Sequence, residues 1–110
     1  MKHQIDALVI GAGPAGLMAA HGLAAAGRKV VIADAKPSVG RKFLMAGKSG
    51  LNLTKDEGLA KFIGHFGDAA PCLSPMLTAF GPDAVADWAC GLGQEVFVGS
   101  SGRVFPRAMK

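Results

Sequence analysis

Apolar positions form two short, continuous runs near the start of the chain and helically spaced faces further on. "DALVI", Asp6 to Ile10, and "KVVIAD", Lys29 to Asp34, are short and almost continuously apolar. Such runs suit parallel strands buried on both faces. Between them lies "AGLMAAHGLAAAG", rich in alanine, with Pro14 where a first helical turn accepts proline and Gly27 where a helix stops. Residues 5–34 therefore predict strand, helix, strand, a single βαβ unit. Residues 35–53 show no sustained period and are rich in Gly, Lys and Ser, which predicts a functional loop. Thr54-Lys-Asp-Glu57 then offers a capping box ahead of Leu59, Phe62, Ile63 and Phe66, an apolar helical face. Further helices are predicted over Pro75 to Phe80 and Pro82 to Gly91, the latter with Val85, Trp88, Ala89 and Leu92 on one face. "QEVFVG" predicts a strand, and "SSGRVFPRAMK" a turn with an open end.

The turn of the βαβ unit carries the first candidate chemistry. Gly11-Ala-Gly13-Pro-Ala-Gly16 is a G-x-G-x-x-G pattern, weak alone but here following a strand, opening a helix and answered by Asp34. Gly11 permits the tight turn, Gly13 lets backbone approach a pyrophosphate, and Gly16 lets helix and strand pack closely. The helix N-terminus offers free N–H groups and partial positive charge to phosphates. Asp34 would accept hydrogen bonds from adenosine ribose hydroxyls and repel a 2′-phosphate. Ala20 and Gly27 continue the small-residue spacing of the FAD-binding version of this unit.

"MAGKSGLN", residues 45–52, holds a Gly-Lys-Ser string that suggests an ATP loop. A Walker A loop would need glycine at position 42, which is Lys42, and no strand leads into it. The segment instead leaves the carboxyl end of a strand, where ligands of dinucleotide folds bind. Its backbone N–H groups, with Ser49, Asn52 and Thr54, are expected to wrap a second part of the same cofactor. Arg41 and Lys42 would neutralise phosphate or lie over the adenine. Lys48 as a solvated side chain and Thr54 as a helix cap are the plainer readings.

Charge and composition alter this picture little. A chain of 110 residues is about one domain. Eight of the twelve basic residues lie between Arg28 and Lys61, but no aromatic stripe accompanies them, so no nucleic-acid partner is expected. The apolar run 7–27 is broken by five glycines, a proline and His21, so no membrane span is expected either. Cys72 and Cys90 have no metal-ligand spacing, so no metal is expected; they read as buried reduced thiols, and a cytoplasmic location follows. His3, His21 and His65 read as solvated or packed, so the catalytic residues stay unknown.

"VIGAGPAGLMAA", "GRKFLMAGKSGLNLT" and "GSSGRVFPRAMK", in this order, resemble the N-terminal region of the BaiN-like (YhiN-like) bacterial flavoproteins. That family comprises NAD(P)/FAD-dependent oxidoreductases, also described as the aminoacetone oxidase family. The resemblance implies a Rossmann-type cofactor domain with an inserted domain, and FAD contacts at Gly11, Gly13, Pro14, Ala15, Asp34, Arg41, Lys42, Gly47 and Asn52. Gly50 and Leu51 stand where the family's central loop has Arg and Cys. "GRVFP", Gly102 to Pro106, matches a family hallmark without an assigned role.

The expected fold class is α/β: a Rossmann-like FAD/NAD(P)-binding βαβ unit, then a flavin-wrapping loop and short helices, with an incomplete sheet. The expected division is 1–56 for the FAD-binding βαβ unit and second glycine loop, 57–92 for a helical segment and 93–110 for the strand with GRVFP. The expected function is the N-terminal part of an FAD-dependent oxidoreductase, binding the ADP moiety of FAD and passing hydride between NAD(P)H and a small organic substrate. Its partner would be the remainder of the same polypeptide. A non-catalytic dinucleotide-binding module and an interaction fragment are the alternatives.

Overall fold

The strands β1 (Ala7–Ile10) and β2 (Val30–Ala33) run parallel, with Ala7 opposite Val30 and Ile10 opposite Ala33. The structure is a computed structural model that describes residues 2–47 and 50–110. The helix α1 (Pro14–Ala25) joins the two strands, starting at proline as the sequence predicts. The chain leaves it through Gly27, at φ +80°, where a side chain would be strained. A short helix, α2 (Arg41–Met45), lies within the segment that carries no sequence period. These elements form the first of two units, residues 1–46 and 47–110.

In this unit α1 covers one face of the strand pair, where Ala7, Val9, Val30 and Ile32 are half-buried. The other face is open. Leu8, Ile10, Val31 and Ala33 project from it, and Ile10 is 83% exposed. The expectation of strands buried on both faces thus holds for one face only, because none of the unit's described elements packs on the second.

The second unit contains β3 (Thr54–Lys55), α3 (Leu59–Gly64), α4 (Ala70–Ala79), α5 (Pro82–Gly91), β4 (Val96–Val98) and β5 (Arg103–Pro106). Its strands form an antiparallel sheet in the order β3-β5-β4. Val104 of β5 and Ala89 of α5 are the buried centres of this unit. The fold is α/β, a parallel Rossmann-like βαβ unit with a small antiparallel sheet.

Three local expectations change. The Thr54–Glu57 capping box does not form: Thr54 and Lys55 pair with Val104 and Arg103, and Gly58 takes the N-cap of α3. The helix predicted from Pro75 begins at Ala70, with another proline in its first turn and Pro75 inside it. Cys72 and Cys90 are exposed rather than buried. Cys72 lies on α4 and Cys90 on α5, both at solvent-facing positions.

Glu57, released from capping, turns inward. Its side chain is only 7% exposed, with His65 Nε2 at 2.8 Å from Oε1 and Lys55 Nζ at 3.7 Å from Oε2. Neither oxygen receives a well-aligned hydrogen bond from the described residues. Burial works to raise the pKa, but the contact with His65 and the charges of His65, Lys55 and Lys61 outweigh it and the pKa is lowered. A lowered folded pKa means stability that is present above the ordinary value of 4.5 and lost as pH falls through the folded value. Glu57→Gln is therefore expected to flatten the acid limb of the melting-temperature profile. An unchanged acid limb in that variant would refute the assignment.

Candidate dinucleotide-binding site

The glycine turn between β1 and α1 is held from three sides. Gly11 donates its N–H to the Ala33 carbonyl at 2.7 Å, tying the turn to the end of β2. Ala12, 2% exposed, donates to Asp34 Oδ2 at 2.7 Å and accepts from the Gly40 N–H at 2.8 Å. Gly11 adopts φ +102°, a conformation that strains any residue with a Cβ. The turn is thus fixed before any ligand arrives.

This fixing decides which donors remain. The N–H groups of Gly11 and Ala12 are used internally. Those of Gly13, Ala15 and Gly16, at the start of α1, have no acceptor among the described residues. Pro14 contributes no N–H, so its place in the first turn removes a donor that would need a partner. Gly13 is the N-cap and has no side-chain cap; a Cβ there would stand in open space. Donors, helix-end charge and open approach coincide at one point, as an anionic pyrophosphate requires.

Asp34 closes the site at the other end. Its Oδ2 takes the Ala12 N–H and its Oδ1 takes the Lys36 N–H, each at 2.7 Å. A carboxylate has about four lone-pair positions. Two remain for ligand hydroxyls. The backbone N–H of Ala12 and then that of Lys36 lower its pKa against the opposing effect of burial, with the charges of Lys36 and Arg41 adding to the lowering. Asp34 is therefore an ionised, oriented acceptor one residue beyond β2.

Arg41 and Lys42 open α2 and are exposed; Arg41 Nη1 donates to Ser38 Oγ at 3.2 Å. So the first unit gathers Gly11, Gly13, Pro14, Ala15, Gly16 and Asp34 at one turn, with Arg41 near enough to act on Asp34 electrostatically. A chain fragment matching the HI0933-like protein Rossmann domain spans residues 5–110. The chain belongs to the HI0933-like family. As a Rossmann domain of that family it is a dinucleotide-binding module of the oxidoreductase type. No curated protein matches the chain.

The HI0933-like assignment covers the second glycine segment too, but that segment lies in the second unit. Gly47 sits at φ +71°, and a Cβ there would meet Gly50 and Leu51 backbone atoms at 2.7 Å. Asn52 donates Nδ2 hydrogens to the carbonyls of Thr54, at 2.8 Å, and Val104, at 3.3 Å. Lys48 and Ser49 lie outside the described residues. The sequence could not supply the role of Ala12 and Gly40 in bracing the first turn, since only backbone atoms are involved. Nor could it supply the role of GRVFP: residues 103–106 are β5, the central strand of the antiparallel sheet.

Proposed function

We propose that this HI0933-like Rossmann domain binds the ADP moiety of FAD and serves an FAD-dependent oxidoreductase of the BaiN-like (YhiN-like) group. The observation that carries this reading is the pairing of free N–H groups at Gly13, Ala15 and Gly16 with the oriented Asp34 carboxylate. The first set suits the pyrophosphate and the second suits the adenosine ribose. FAD, when bound, supplies the hydride chemistry, with NAD(P)H and a small organic substrate as its partners in electron transfer. The chain's own residues bind and orient it. Gly13, Ala15 and Gly16 hold phosphate oxygens, Asp34 holds ribose hydroxyls, and Arg41 and Lys42 offset phosphate charge. Gly47 and Asn52 belong to the same reading as contacts of the rest of the cofactor.

The open face of Leu8, Ile10, Val31 and Ala33 supports one further part of the reading. Parallel sheets are covered on both faces, so this apolar surface is assigned to the remainder of the same polypeptide.

The test is a titration of the purified chain with FAD followed by flavin fluorescence, with ADP as competitor. The expected result is saturable quenching of flavin fluorescence that ADP reverses. Flavin that stays unbound at every protein concentration would overturn the assignment.

A further inference from the structure

Residues 34–39 are exposed as the chain leaves β2, and Gly40, which ends this stretch, is buried. It carries φ +66° and ψ +22°, left-handed backbone, and is the N-cap of α2. A Cβ built on it would lie 3.6 Å from Leu17 Cδ1, an ordinary contact. Conformation, not space, therefore selects glycine here. Both of its backbone polar groups are committed. Its carbonyl accepts the Leu44 N–H at 2.8 Å, and its N–H donates to the Ala12 carbonyl at 2.8 Å.

The second of these bonds acts on the glycine turn through one rigid plane. The Ala12 carbonyl and the Gly13 N–H belong to the same peptide unit, which is trans and planar. In a trans unit the two bonds point in opposite directions. Whatever holds the Ala12 oxygen therefore aims the Gly13 hydrogen the other way. Gly13 itself gives little such control, since glycine is the residue freest in φ and ψ. Its carbonyl is tied into α1 through the Leu17 N–H at 2.9 Å, while its N–H has no acceptor among the described residues. The preceding peptide unit is fixed separately, because Asp34 Oδ2 holds the Ala12 N–H. Two consecutive peptide planes thus have two distinct holders, Asp34 for the first and Gly40 for the second.

We propose that Gly40 is a positioning residue for the pyrophosphate: its N–H, by holding the Ala12 carbonyl, aims the Gly13 N–H at a phosphate oxygen. The proposal rests on the reading of this turn as the site of the ADP moiety. It divides the labour there, with Gly40 serving the phosphates and Asp34 the nucleoside.

The experiment titrates the full chain with ADP and with adenosine, the probe that lacks phosphate, and follows backbone amide signals by NMR. Gly40→Val places a β-branched residue where left-handed backbone is needed, and Gly40→Asn places one that tolerates it. Gly40→Val is expected to bind ADP about tenfold more weakly, the scale of one hydrogen bond to a charged group, and adenosine as the parent does. Gly40→Asn is expected to bind ADP nearly as the parent does. In the parent, the Gly40 amide is expected to exchange slowly with deuterated solvent. Equal losses for ADP and adenosine overturn the proposal, because Gly40 would then support the whole turn. Unchanged ADP affinity in Gly40→Val overturns it while leaving the ADP site in place. An equal loss in Gly40→Asn also overturns it, since left-handed backbone would then not be what matters. Fast exchange at Gly40 in the parent does the same, and this measurement needs no variant to fold. A parent that binds ADP no better than adenosine, or binds neither, overturns the pyrophosphate reading of the turn, and the role of Gly40 falls with it.

Discussion

Gly16→Ala is expected to destabilise the chain by about 3 kcal/mol, the upper part of the range for overpacking a tight contact. A Cβ at this position would collide with the Gly11 carbonyl oxygen and lie 3.2 Å from Val9 Cγ1. The first obstacle is backbone, and that backbone is itself fixed through the Gly11 N–H to Ala33. No side chain can swing away to relieve the clash. The helix must lift from β1, which moves the N–H groups of Gly13, Ala15 and Gly16 together. Thermal unfolding should show the midpoint falling by roughly 10 °C or more, since about 1 kcal/mol moves a domain of this size by several degrees. FAD affinity should fall with it. Gly22→Ala is the control on the same helix: a Cβ there meets nothing within 4 Å. It should stabilise by roughly 0.5–1 kcal/mol, through the helix preference of alanine over glycine. Equal melting temperatures for the two variants would show that close packing of helix on strand does not set the geometry of the turn.

The contrast between these two glycines marks what a sequence makes legible. The spacing of Gly11, Gly13 and Gly16 between a strand-like run and an alanine-rich run is a local pattern, and its physical reasons are local too. That is why the βαβ unit, the proline start of α1 and the Gly27 stop all lie where the sequence puts them. The helix over Pro82–Gly91 is equally local, with proline at its start and a well-spaced apolar face. Thr54–Glu57 is the opposite case. Its residues satisfy the capping-box pattern, yet Thr54 and Lys55 pair with Val104 and Arg103, far along the chain. A strand of two residues has no period of its own, so only the β5 pairing reveals it. Pro75 misleads for a related reason. Proline marks a helix start by local rule, but an earlier proline already serves α4, and Pro75 is absorbed inside the helix.

The candidate site divides along the same line. Asp34 is legible because it directly follows a strand-like apolar run, one residue beyond β2. Its link to Ala12 spans 22 positions and becomes visible only when β1 and β2 lie side by side. The second glycine segment is legible as a loop, but its polarity is not. Whether an N–H points outward depends on carbonyls at Val104 and Met109, which no pattern near Asn52 announces. Composition thus locates both loops, and long-range backbone pairing decides what each can hold.

Asp34→Ala is expected to lower affinity for FAD and ADP alike by about tenfold to a hundredfold, the scale for charge-assisted hydrogen bonds. Two losses combine. The ribose hydroxyls lose their acceptor, and the Ala12 N–H, in a residue 2% exposed, loses the oxygen that fixes the glycine turn. Asp34→Asn separates them in part, because a carboxamide oxygen can accept from Ala12 or from Lys36 but its NH2 cannot accept from the other. It should fall between the parent and the alanine variant. The pH dependence carries a definite sign. The N–H groups of Ala12 and Lys36 lower the folded pKa of Asp34 below its ordinary 3.8, with Lys36 and Arg41 charges adding to the effect. The ionised acceptor is therefore fully present above that ordinary value and disappears as pH falls through the folded pKa. Between about pH 5 and pH 8, where a lowered carboxylate stays ionised, Asp34 should contribute no pH dependence to the affinity. A carboxylate at the ribose also disfavours a 2′-phosphate, so the parent should prefer ADP over its 2′-phosphorylated form and Asp34→Ala should narrow that preference. Competition titrations with both nucleotides measure it. If the alanine variant keeps both the affinity and the preference of the parent, Asp34 braces the turn without touching the ribose.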